Sequence, residues 1–159
     1  MKDLSPMSNG YYHPKECNLN EFEEIINQSI TMDSVPNAVS IENNIPIYDI
    51  SSLEIVLKEE KLKNELMAEW GSVLRSGSGA IVLRNAYRDT TVIDEATKLY
   101  QDIINNEKLR NGGGADHFAA AGANDRIWNS LQKLCEGSPE VFFRYFANTA
   151  IQTACEAWL

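Results

Sequence analysis

The sequence has little basic charge, since 14 Lys and Arg against 23 Asp and Glu give a net charge of −9. Nucleic-acid binding depends largely on neutralising phosphates with Lys and Arg, so this balance argues against a nucleic-acid partner. It disfavours a basic membrane-surface patch for the same reason. No apolar run approaches the roughly 18 residues of a membrane-spanning helix, and the first residues lack the apolar stretch of a secretory signal. We therefore expect a cytoplasmic protein without a membrane partner.

Cysteine and histidine are also scarce, with three and two residues. The cysteines (Cys17, Cys135 and Cys155) form no C-x-x-C pair, and the last two fall on apolar helical faces, where we expect buried, inert packing residues. A metal centre needs several ligands around one point. His13 and His117 are far apart in the chain, and neither begins an H-x-D or H-x-E pair. The sequence therefore predicts neither a metal ligand nor a cofactor in this chain.

Length and composition favour one domain, because 159 residues with 43% apolar side chains can bury a sizeable core. Residues 1–44 differ from the rest, being acidic and rich in Asn, Ser, Glu and Pro. There we expect a largely flexible segment with one short amphipathic helix at residues 21–30. The domain itself is expected over residues 45–159.

Strand and helix patterns alternate after the acidic segment. Residues 45–50 alternate apolar and polar positions, which predicts a short strand with Pro46 at a sheet edge or among the strand's first positions. Residues 51–54 match an S-x-x-E capping box, which predicts that a helix starts there and runs to about Ser76. The continuous apolar run 79–86 predicts a second strand that is covered on both faces.

Helical patterns dominate the remainder, with one long helix over about residues 91–106 and three short helices near the end. The last short helix starts near Asn148 and carries an apolar stripe of Ile151, Ala154, Cys155 and Trp158. At Leu159 the pattern is still in helical phase and has no stop signal, so we expect that the chain is truncated.

A glycine- and alanine-rich loop at residues 111–122 separates the long helix from the short ones. It lacks the G-x-G-x-x-G spacing of dinucleotide sites and a following Gly-Lys-Ser/Thr. Asp116 and His117 are its most distinctive polar pair, and two interpretations stay open. In one, Asp116 caps a turn and His117 is half-buried and hydrogen-bonded; in the other, the pair lines a ligand cavity.

The chain resembles the N-terminal part of the phytanoyl-CoA dioxygenase-like family in three segments: GAIVLRNAY (79–87), GGGADHFAAAGANDRIWNSLQKLC (112–135) and CEAWL (155–159). The aromatic segment EVFFRYFAN (140–148) and the helix–strand pattern before residue 79 fit the same family. The resemblance covers most of residues 45–159 and is strongest from Gly112 onward.

The resemblance implies an enzyme that hydroxylates a small organic substrate with Fe(II), O₂ and 2-oxoglutarate. Family members hold iron with an H-x-D pair and a distant His, and these elements lie beyond residue 159, so no ligand is carried over. The implied fold class is α+β and mostly helical: the helical and first-strand part of a double-stranded β-helix (jelly-roll) whose core sheet is incomplete. Asp116, His117, Phe118 and Arg126 are substrate-cavity candidates. We expect the chain alone to be inactive.

An incomplete jelly-roll exposes apolar surface, because its two sheets normally bury each other's faces. We expect such surface at parts of 79–86, at 142–146 and at Trp158, with the missing C-terminal jelly-roll portion or another protein as partner. One alternative is a non-catalytic binding or interaction module with the same scaffold. Another is an enzyme of a different kind that uses Asp116–His117 with Arg126.

Overall fold

The computed structural model describes residues 14–111 and 125–159 of the chain. The described part is α+β and mostly helical, as expected. Its α-helices are α1 (Leu19–Ile26), α2 (Glu60–Ser76), α3 (Thr91–Asn111), α4 (Ser130–Gly137), α5 (Pro139–Phe146) and α6 (Thr149–Trp158). Its strands are β1 (Ser40–Glu42), β2 (Ile45–Asp49) and β3 (Val82–Arg84). Among these helices, none has both the length and the apolar character that crossing a membrane requires.

The three strands form one sheet in the order β1-β2-β3. β1 and β2 are antiparallel and are joined by Asn43 and Asn44, whose φ angles of 50° and 65° suit the tight turn of a two-residue hairpin. β2 and β3 are parallel, with Tyr48 opposite Leu83. β3 is an edge strand, and Val82 is 43% exposed. The prediction that this strand is covered on both faces is therefore wrong for the described part of the chain.

Strand β1 and the segment before it are attached to the domain. Val35 and Ala38 are buried in the main core, and β1 pairs with β2. The predicted domain start at residue 45 thus falls inside the β1–β2 hairpin. Pro46 lies in the central strand opposite Ile41, one residue before the first pair between β2 and β3. A place among the first positions of a strand, not at the sheet edge, accommodates this proline.

Helix α2 begins at Glu60, six residues after the predicted capping box. The reason is that Asp49 engages Ser51 first. Its Oδ1 atom accepts hydrogen bonds from the backbone N–H of Ser51 (3.1 Å) and from the Ser51 hydroxyl (2.5 Å). The chain then forms a short 3₁₀ helix at Ile50–Ser52 and turns before α2 starts. The predicted capping box at 51–54 is therefore wrong.

Helix α6 packs on α2 through its small side chains. Ala150, Thr153 and Ala157 are buried, whereas the stripe with Ile151, Cys155 and Trp158 faces outward. The expectation that Cys155 is buried is wrong, and Cys135 is half-buried. The Thr153 hydroxyl donates to the carbonyl of Thr149 at 2.8 Å, which satisfies it inside the interface. Small residues allow the two helices to approach closely.

Gly71 on α2 marks the closest approach. A Cβ atom added there would lie 2.9 Å from the carbonyl oxygen of Ala157, a backbone atom that moves only with α6. We expect Gly71→Ala to lower the free energy of unfolding by about 1–2 kcal/mol, since overpacking exceeds the gain in helix propensity. Urea denaturation measures this change.

Gly137→Ala is the matched control, because a Cβ at Gly137 meets nothing within 4 Å. It should leave the free energy of unfolding unchanged or raise it by up to about 1 kcal/mol. Equal losses for Gly71→Ala and Gly137→Ala would contradict the close α2–α6 contact.

Candidate functional site

The substrate-cavity residues predicted from the sequence fall into two groups: those outside the described residues and one within them. Asp116, His117 and Phe118 lie outside the described residues. Arg126 is described; it is exposed and lies in the segment that leads to α4. The neighbouring Asp125 carboxylate accepts from the Lys108 ammonium at 2.7 Å, which ties this segment to the C-terminal end of α3.

A cavity of about 400 Å³ opens where the carboxyl ends of β2 and β3 meet the N-terminal end of α6. The crevice at the carboxyl ends of parallel strands is a common ligand position in α/β sheets. The size is typical of small-molecule sites, and the lining combines apolar side chains with several polar and charged ones. The lining residues come from three segments: Ile50, Ser51, Glu54, Leu57, Lys58, Asn85, Ala86, Arg88, Ala147, Asn148, Thr149 and Ala150.

Asp49 joins the ends of the two parallel strands beside this cavity. Besides Ser51, its carboxylate accepts from the Asn85 amide at 3.0 Å and from the Arg84 guanidinium at 3.1 Å. The hydrogen bond from the Ser51 side chain, followed by that from Asn85, holds the pKa of Asp49 well below its usual range. Asn85 itself has a φ of 58°, so the chain turns sharply after β3.

The opposite wall of the cavity is held by Asn148. Its side-chain oxygen accepts from the backbone N–H of Ile151 at 3.1 Å and caps α6. Its amide nitrogen donates to the carbonyl of Ala86 at 2.8 Å, which fixes α6 to the end of β3. At the rim, Arg88 pairs with Glu54. Asn148 thus sets the distance between the sheet and the helix.

A second feature is the α5–α6 apolar surface, formed by Phe143, Phe146, Ile151 and Trp158. These side chains are 69%, 41%, 41% and 57% exposed. The exposure expected from the sequence is confirmed for Phe143, Phe146 and Trp158, whereas Phe142 and Tyr145 are half-buried against the second core cluster. Exposed apolar patches are typical of interaction sites, ligand grooves and aggregation-prone surfaces.

A two-histidine, one-carboxylate iron site needs three donor side chains around one point. Within residues 14–111 and 125–159, no three His, Cys, Asp or Glu side chains are grouped so that they could hold a metal ion. Both histidines of the sequence lie outside these ranges. The described residues therefore do not fit a two-histidine, one-carboxylate iron site.

Comparison of the chain with protein-family models, with curated proteins and with solved structures gives no significant match. The α+β class rests on the structure itself. The resemblance to the dioxygenase-like family, and the chemistry that it implies, stand as proposals.

Proposed function

We propose that this chain is the N-terminal, helical part of a phytanoyl-CoA dioxygenase-like protein. In the complete protein, bound Fe(II) with 2-oxoglutarate would supply the oxidising chemistry that hydroxylates a small organic substrate. The role of this chain is to pack against the jelly-roll portion that holds the iron. The segments at 79–87, 112–135 and 155–159 support the proposal through their resemblance to the family.

The observation that carries the proposal is the two-sided apolar character of α6. One face, with Ala150, Thr153 and Ala157, is buried against α2. The other carries Ile151 and Trp158, which remain 41% and 57% exposed. A surface helix of a complete domain normally has one apolar face and one polar face. A helix with two apolar faces is typical of a layer that is packed on both sides.

The same argument extends to α5 and β3. Phe143 and Phe146 are three residues apart on α5, so they share a face, and Val82 lies on the edge strand. The outer edge of β3 presents backbone groups that can pair with a further strand. A β-rich partner that covers α5, α6 and the β3 edge fits this distribution.

No catalytic step is assigned to the described residues, because their donor groups do not fit an iron site. Because the sequence has no H-x-D or H-x-E pair and its two histidines are far apart in the chain, we expect that the 159-residue chain alone, titrated with Fe(II) in the presence of 2-oxoglutarate, shows no stoichiometric binding by calorimetry. Stoichiometric micromolar binding would mean that His13 and His117 converge with a carboxylate, and it would contradict the assignment of the iron to another portion.

A non-catalytic interaction module is the second candidate, and α1 favours it. This helix lies before residue 45, outside the segments that resemble the dioxygenase-like family, and its apolar side chains are exposed. An interaction module would form a defined complex without turnover of 2-oxoglutarate. Release of succinate by the native protein separates the two candidates.

A further inference from the structure

The cavity at the carboxyl ends of β2 and β3 has no role in the proposed packing against a jelly-roll portion. Its volume of about 400 Å³ is within the range of small-molecule sites. Ile50, Leu57 and Ala86 contribute apolar lining, whereas Lys58 and Thr149 contribute polar groups. A small molecule that combines an apolar body with one polar group matches this lining.

The charges around the cavity favour an anion as that polar group. The charged lining residues are Glu54, Lys58 and Arg88, and Arg88 pairs with Glu54. Lys58 is exposed, and its ammonium group forms no ion pair or hydrogen bond within the described part of the chain. The lining therefore keeps one unpaired positive charge, although the whole chain has a net charge of −9.

The start of α6 brings hydrogen-bond donors to the same cavity. The Asn148 side chain accepts from the N–H of Ile151, which leaves the N–H groups of Thr149 and Ala150. Among the described residues, none supplies an acceptor for these two groups. Ala150 is only 2% exposed, and a buried backbone N–H without a partner is rare in folded proteins. An acceptor bound in the cavity would satisfy it.

We propose that this cavity binds a small organic anion, a monocarboxylate with a compact apolar body. The carboxylate accepts from the N–H groups at the start of α6 and pairs with Lys58, and the apolar body lies against Ile50 and Leu57. A single negative charge matches the single unpaired cation, so a monocarboxylate fits better than a phosphate. The site is separate from the α5–α6 apolar surface and does not depend on the proposed function.

Titration of the isotope-labelled full chain with cyclohexanecarboxylate, followed by NMR, tests the proposal. We expect saturable shifts of the Thr149 and Ala150 amide signals, with a dissociation constant of about 1 mM for a ligand of this size. Two related compounds separate the contributions of charge and apolar body. Cyclohexanecarboxamide lacks the charge and acetate lacks the apolar body, so each should bind about fivefold more weakly or worse.

Thr149→Asp distinguishes loss of binding from loss of folding. An acidic residue in the first turn favours a helix, so this variant should be at least as stable as the original chain. The added charge repels a carboxylate in the cavity, and the dissociation constant should rise about tenfold or more. Thr149→Asn is the neutral control and should leave the constant nearly unchanged.

Lys58→Gln tests the cation and should raise the dissociation constant about threefold to tenfold. Lys98→Gln is the matched control, because it removes an exposed lysine of α3 that does not line the cavity. Absence of saturable shifts, equal affinity for the carboxamide, or equal effects of the two lysine variants would overturn the proposal. The titration contains neither iron nor 2-oxoglutarate, so its failure would leave the proposed function untouched.

Discussion

Trp70→Ala is expected to lower the free energy of unfolding by about 3–5 kcal/mol, because it leaves a large cavity in the main core. Trp70 is fully buried in α2, and its ring packs edge-on against Tyr48 with the ring centroids 5.4 Å apart. The main core contains residues of the sheet, α2 and α6, so the cavity weakens the packing of all three elements. Since natural domains are stable by only about 5–15 kcal/mol, thermal and urea denaturation should both register a large shift.

Trp70→Phe distinguishes the contribution of ring packing to stability from that of the buried indole N–H. The indole N–H of Trp70 is buried and has no hydrogen-bond partner among the described residues. An unsatisfied buried donor costs about 1–3 kcal/mol, and phenylalanine removes it while keeping most of the aromatic contact. We expect Trp70→Phe to destabilise far less than Trp70→Ala. Equal losses would show that the N–H is paired in solution.

Alkaline pH is expected to destabilise the protein through Tyr48. This side chain is fully buried, and its hydroxyl donates to the Glu69 carboxylate at 2.9 Å, which also accepts from the Asn37 amide at 2.6 Å. Burial first, and the hydrogen bond to Glu69 second, raise the pKa of Tyr48 well above that of an unfolded tyrosine, which is about 10.

The direction in which the free energy of unfolding changes with pH follows from proton linkage. Below pH 10 the phenol is protonated in both states, so its contribution to stability is fully present. As pH rises above 10, the unfolded chain loses this proton while the folded protein keeps it, so unfolding becomes easier by about 1.4 kcal/mol per pH unit. Urea denaturation between pH 8 and about 12 measures the fall.

Tyr48→Phe should reduce this alkaline slope, although the hydrogen bond lost to Glu69 lowers stability at every pH. A residual slope is expected, because burial also raises the pKa values of Tyr87 and Tyr100. A slope that is the same with and without the Tyr48 hydroxyl would contradict its buried, protonated state.

The fold could be predicted from the sequence where local chemistry acts alone. Ser138 and Pro139 indicate the start of α5, and the Ser138 hydroxyl does accept from the N–H of Val141. The prediction failed where another contact competes with the predicted one. At residues 51–54, the Ser51 hydroxyl donates to the Asp49 carboxylate, which Arg84 and Asn85 hold from the end of β3, and the predicted capping box does not form.

The buried face of helix α6 could not be predicted either, because it depends on a contact with another helix. Hydropathy alone favours the stripe with Ile151 and Trp158 as the buried face, yet Ala150, Thr153 and Ala157 are buried. The choice depends on how closely α2 approaches, and Gly71 permits that approach. No periodicity within α6 contains this information, because it lies in a helix about eighty residues earlier.

The cavity could not be predicted for a similar reason. It forms where three stretches distant in sequence meet, near residues 50, 86 and 148. Asn148 could be identified as a helix cap from the sequence, but its second bond to Ala86 spans 62 residues. The loop candidates Asp116, His117 and Phe118 stay predictions, since they lie outside the described residues.

The most direct test of the central claim is to isolate the native protein from its source cells with an antibody raised against this chain. Its polypeptide mass and its Fe(II)-dependent release of succinate from 2-oxoglutarate would then be measured. We predict a polypeptide larger than 17.8 kDa, or a stoichiometric complex with a second chain, that releases succinate only when iron is present. A native protein of 17.8 kDa without a partner and without this activity would contradict the claim that the chain belongs to a dioxygenase-like enzyme.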